Sequence, residues 1–320
     1  MNRNLMLLLC IFMNAAVLFA MDLPLGTSTA ELGLKTAADT EEYFGKGLPL
    51  GPASLRFYGS SLWVSDSLNK RFVEFDSEGR LIKSISVATE NHIYPEDFVM
   101  LPDGGFWVCD IDNTAVLRLD AAGKVVRQFN TIGDKKLAWP FRIELLPSGN
   151  LLVLDVTLAE LIEFSDDGKL VRTDPVYGRS FLIEKDSVGY IVEKEQRFHL
   201  LVRKLTDGKE TSNPIPLGDV LDVELLAKTA AGEYVVGFKA IRSAAGSGET
   251  LPYFLMRFMP GSDKPFVSMQ IGFPEPFLTR PLISNGAGKD FLIRLAPAGP
   301  GKVLRLDPVL LDFSLEASDG

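Results

Sequence analysis

The sequence predicts an all-β chain: six four-stranded antiparallel blades closed into a propeller. Three observations carry that expectation. Short runs alternate apolar and polar residues, tight-turn pairs separate them, and one unit recurs every 44 or 45 residues in its clearest copies. Alternation at period two marks strands with one buried face. A four-stranded sheet cannot cover both of its own faces, so neighbouring copies must pack face to face. Bending that stack into a ring leaves no terminal face exposed.

The first copy covers residues 54–57, 61–66, 71–80 and 81–85; the second, 95–98, 105–110, 116–124 and 125–129; the third, 140–143, 150–155, 161–169 and 170–172. Asp66, Asp110 and Asp155 hold the same place in each, and ten residues further on stand Asp76, Asp120 and Ser165. Glu78-Gly79, Asp167-Gly168 and Asp207-Gly208 supply hairpin turns, because glycine takes positive φ without a steric cost. Later copies are worn: 190–194 with 204–209, 234–238 with 253–258, and 291–295 with 303–307. Six copies place the propeller at 48–315, between an N-terminal extension at 21–47 and a tail at 316–320. Either residues 29–38 or residues 310–315 could supply the outer strand of blade six, and the C-terminal stretch is the favoured donor. The Gly/Ser/Ala-rich stretch 241–250 reads as a loop.

Residues 1–20 read as a secretory leader. Arg3 is the positive start, an apolar run follows, and Ala20 is a small residue at the expected cut. Cleavage would remove Cys10 and leave Cys109 without an intrachain partner, so stability must come from burial and backbone pairing. The expected location is therefore periplasmic or extracellular, with no stable membrane insertion after cleavage. The formal net charge of −9 opposes a nucleic-acid partner, whose phosphates demand clustered Lys and Arg.

These repeats resemble NHL repeats. The shared pattern is a Pro-led connector, an apolar pair ending before Asp at Trp63-Val64-Ser65-Asp66, Trp107-Val108-Cys109-Asp110 and Leu152-Val153-Leu154-Asp155, and a second hairpin closing on an Asp/Gly turn. The resemblance implies a six-bladed ring acting as a binding or interaction module. The chain departs from the pattern where a glycine would follow Pro-x: Ser54, Asp97 and Arg142 stand there.

Those departures are the chemically informative positions. Glu96, Asp97, Arg142 and Arg179 stand where the innermost strands begin, with Tyr94 and Trp139 just before two of them. Aromatic surfaces beside mixed charges could hold a small polar ligand or a peptide end, with Arg142 forking onto a carboxylate. The competing expectation is a set of inter-blade ion pairs, Arg142 with Asp97 or Glu96. Asp66, Asp110 and Asp155 share one rim and could take a Ca²⁺ ion. The more ordinary expectation is that each accepts hydrogen bonds from the loop that follows it. No cofactor is expected. His92 and His199 are too few and too far apart for a zinc site or a Ser-His-Asp triad. A metal-assisted hydrolase or lyase using the rim carboxylates, or a purely structural envelope protein, remains the alternative to a binding module.

Overall fold

In the computed structural model, the described residues are 20–26, 28, 31–35, 50–89, 92–217, 220–229, 231–240, 252–261, 267–271, 278–285, 289–298 and 301–309. They form six small, essentially antiparallel sheets arranged as a six-bladed propeller, with a separate two-stranded ribbon, Thr131–Ile132 against Lys135–Lys136. Blade one runs Ser54–Tyr58, Ser61–Asp66, Arg71–Phe75 and Leu81–Ser86 from the channel outward. Blades two and three begin at Pro95–Met100 and Pro140–Leu145 and repeat that order. Blades four, five and six have Phe181–Ile183, Val220–Lys228 and Leu282–Asn285 as innermost strands. The turns fall where the Gly pairs predict them, with φ of 78° at Gly79, 85° at Gly168 and 70° at Gly208.

Ring closure differs from the favoured expectation. The outer strand of blade six is N-terminal: Met21–Gly26 pairs antiparallel with Gly301–Val309, Leu23 opposite Leu304 and Leu25 opposite Lys302. The physical reason is apolar alternation. Leu23 and Leu25 point inward and are buried, whereas Asp22 and Pro24 are exposed. The other candidate donor lies further on. Its Leu32–Gly33 adds a short parallel strand beyond Met21–Gly26, and Gly33 N–H donates to Asp66 at 2.9 Å. Residues 1–19, the loop 241–250, residues 310–315 and the tail lie outside the described residues. No helix among the described residues is long and apolar enough to cross a membrane.

The core is a series of inter-blade layers. Trp63 and Phe72 of blade one meet Phe98 and Phe106 of blade two, and Phe72 stacks on Phe106 with centroids 4.8 Å apart. Burying such rings is worth several times the few tenths of a kcal/mol of a strand pair. Interdigitating aromatics therefore fix the angle between blades. Cys109 belongs to the next layer, fully buried, and burial pushes its thiol well above the ordinary range. It packs as a small apolar residue.

Candidate functional site

Alternate residues of an innermost strand share one side, so side chains two apart form layers along the channel. Ser54, Asp97, Arg142, Ser180 and Glu224 hold one level. Two residues further along come Arg56, Val99, Glu144, Leu182 and Leu226. Arg280 reaches in from the segment before the innermost strand of blade six.

Asp97 is the hub. Fully buried, it accepts from Ser54 Oγ at 2.5 Å, Arg56 Nη2 at 2.9 Å, Arg280 Nη2 at 2.7 Å and the amide of Ile143 at 3.0 Å. Glu144 takes Arg56 Nη1 at 2.9 Å and Arg280 Nη2 at 2.8 Å. Burial would raise both carboxyls, but the two guanidinium groups outweigh it. Asp97 and Glu144 are both held below the ordinary carboxylate range. Burial acts to lower Arg56, yet the same two acids together hold it raised.

Arg142 stands apart from this network. It is 6% exposed, and among the described residues no carboxylate lies within ion-pair distance of it. Its Nε has no hydrogen-bond partner, and its guanidinium carbon lies 5.2 Å from the centroid of the Phe181 ring. Burial, then the charge of Arg280, lowers it to about 9 against the longer-range pull of Glu144 and Asp97. The expected pairing of Arg142 with Asp97 or Glu96 is therefore not formed. Arg56 and Arg280, approaching from blades one and six, occupy the available faces of Asp97.

Arg142 lines a cavity of about 470 Å³ bounded by innermost strands of all six blades. The lining is mixed. Arg56, Glu144 and Arg280 are among its charged groups, and Leu182, Leu226, Leu282 and Phe57 among its apolar ones. The cavity sits toward the ends of the innermost strands, at Tyr58, Ile183 and Lys228, rather than toward their beginnings. Lys228 is neutralised by Glu184 at 2.5 Å.

The remaining expected site residues do not join the cavity. Arg179 ion-pairs with Glu224 at 3.0 Å and lies over the Phe141 ring. Glu96, 5% exposed, is near enough to Asp97 and Arg179 to feel both charges. Burial, then Asp97, pushes its carboxyl up to about 8 against the pull of Arg179. Tyr94 and Trp139 sit in the connectors, where their amides donate to Asp110 at 2.9 Å and Asp155 at 3.0 Å. Those aspartates are loop locks. Asp66 binds Arg71 Nε at 2.6 Å, and Asp155 also takes the amides of Ala138 and Leu158. Gly33, Tyr94, Ala138 and Trp139 donate from before the aspartate in the chain, whereas Asn69, Arg71, Asn113 and Leu158 donate from the loop or strand that follows it. No group of three metal-ligating side chains assembles among the described residues.

No family model matches the chain, and no curated protein is similar to it in sequence. The likeness lies in solved structures. Virginiamycin B lyase from Staphylococcus aureus, a catalytically inactive variant with quinupristin, is 13% identical over 92% of this chain and 98% of its own, with a TM-score of 0.51. A candidate exported protein from Bacteroides fragilis is 11% identical over 92% of this chain and 96% of its own, with a TM-score of 0.54. The shared object is the propeller fold. At these identities the likeness is one of fold alone.

Within that propeller, Arg56, Glu144 and Arg280 were not expected site residues. Period two gives the first two: Arg56 lies two residues beyond Ser54, and Glu144 two beyond Arg142. Arg280 carried no comparable signal, because the repeat in blade six is too worn to align Thr279-Arg280-Pro281 with the other strand starts.

Proposed function

We propose that this protein is an exported propeller of NHL-type repeats that works as a binding module, holding a small polar ligand or peptide end in its central cavity. One observation carries the reading: Arg142 is buried without an acidic partner and lines a cavity open to a ligand. A buried cation without compensation is costly, and the fold already shows how it compensates the others, through Asp97 and Glu144. A bound anion would serve Arg142 in the same way. The cavity volume falls within the range of roughly 300–1,000 Å³ typical of small-molecule sites. The leader-like start supports export, and the acidic balance argues against nucleic acid.

The test is a thermal-shift screen of the protein against carboxylates, sugars, amines and short peptides with free or blocked ends. At least one compound should raise the melting temperature of the wild type and leave a folded Arg142→Met variant unmoved. If every stabilising compound acts equally on both proteins, the cavity is not the binding site.

A further inference from the structure

Resting on that reading, we infer that the cavity recognises a monocarboxylate carrying an apolar body, with Arg142 receiving the carboxylate and the leucine wall of blades four to six receiving the body. The charge balance selects the head group. Arg56, Arg142, Arg280 and Glu144 line the cavity, and Asp97, outside the lining, holds Arg56 and Arg280; together they make a largely buried group of three positive and two negative charges. One positive charge is left over, and it sits on the guanidinium that lacks a partner. A monoanion neutralises the group, whereas a dianion such as a phosphate monoester would leave a buried negative charge unpaired. Lys228 and Glu184 cancel each other at the opening. Asp290, half-buried at the margin, stands outside that buried group, its carboxyl held above the ordinary carboxylate range by burial.

Shape selects the rest. A planar guanidinium binds a carboxylate through two parallel N–H···O bonds, a geometry that an alcohol or an amine cannot reproduce. Leu182, Leu226 and Leu282, contributed by three successive blades, line the same cavity, with Ile183 and Ile283 beside them. Leu226 and Leu282 also form the inner edge of the packed layer between blades five and six, and Leu182 abuts the layer between blades four and five. Each therefore offers the cavity the side that its layer leaves uncovered. Together they fit an alkyl or branched body a few carbons long. That chemistry is shared by a free medium-chain fatty acid and by the C-terminus of a peptide ending in an apolar residue.

Isothermal titration of the protein with octanoate, acetate, 1-octanol, octylamine and inorganic phosphate separates the contributions. Octanoate should bind at least tenfold tighter than each of the other four. Arg142→Met should lose at least tenfold in octanoate affinity at a melting temperature no lower than the wild type's. Leu226→Asn should weaken octanoate and leave the weak binding of acetate as it was. Acetyl-Leu-Leu with a free C-terminus, compared with its amide, assigns the source: a free acid tighter than octanoate points to a peptide end, and the reverse to a small acid. Octanol or phosphate binding as tightly as octanoate would overturn the inference. So would a polar compound that needs Arg142 in the thermal screen while octanoate does not bind; that result would leave the binding-module reading standing. Octanoate bound equally by wild type and Arg142→Met would sink both.

Discussion

Asp97 and Arg142 occupy equivalent places in adjacent blades, yet removing them should have opposite consequences. Asp97→Asn leaves Arg56 and Arg280 buried with half their compensation, and breaking a buried pair costs about 3–5 kcal/mol. Arg142→Met instead removes a buried cation from beside Arg280 and strands no acid. Thermal melts of the two variants should therefore show a large fall for the first and no fall, or a rise, for the second. Glu96 makes a pH-dependent case. Its carboxyl has an ordinary value of 4.5 and is raised to about 8 in the fold. Between those values the folded chain keeps a proton that the unfolded chain releases. Its contribution to stability is thus greatest below 4.5 and is lost as pH rises toward 8, at up to about 1.4 kcal/mol per pH unit. Glu96→Gln cannot ionise, so denaturant melts should show the variant gaining on the wild type steadily from about pH 5 to 8. A constant difference across that range would mean that Glu96 is ionised throughout. Asp97 works in the other direction, and its stabilisation fades only as the pH falls below the ordinary carboxylate value of 3.8.

Among the elements, the hairpin turns show how one conformation can carry two different loads. Gly123 and Gly149 have nearly the same φ, 84° and 85°. A Cβ on Gly149 would meet nothing within 4 Å, whereas one on Gly123 would lie 2.2 Å from the carbonyl oxygen of Ser86 in the neighbouring blade. Gly149→Ala should cost about 1–2 kcal/mol for the left-handed backbone alone. Gly123→Ala should cost a further 1–3 kcal/mol or so, because the outer strand of blade one must shift. Equal midpoints in urea would show that the two blades are not in close contact there. The turns, the strand order of blades one to three and the aromatic layers were legible because each is local or periodic. Asp97 and Arg142 were legible as polar intrusions into a repeat. Their partners were not: which guanidinium meets which carboxylate across a channel depends on residues far apart in the chain, as the Arg280–Asp97 separation of 183 shows. The closing strand escaped for a related reason. Residues 29–38 and 310–315 each offered an apolar stretch, and the strand that reaches the edge of blade six, Met21–Gly26, is neither of them but a segment just N-terminal to the first.

At the scale of the whole molecule, the ring depends on Met21–Gly26. Leu23 is fully buried against Leu55, Ile293 and Leu304, so Leu23→Ala should lower stability by about 2–5 kcal/mol. Asp22, one residue earlier, forms an exposed paired contact with Arg305 at 2.6 and 2.7 Å, and Asp22→Ala should cost at most about 1 kcal/mol. A calorimetric melt that ranks them the other way round would displace this strand from its closing role. In a closed ring, losing any one blade breaks two blade-to-blade faces instead of one, which favours all-or-none melting. The same seam behaves differently under tension. Met21 pairs with Leu306 and Leu25 with Lys302, so the two chain ends leave the seam from the same end of an antiparallel pair. A pull on both ends loads its hydrogen bonds one after another, as in a zipper, instead of all together in shear. A ring expected to melt as a unit is thus expected to open at low force from its ends, with the seam parting before any blade unfolds.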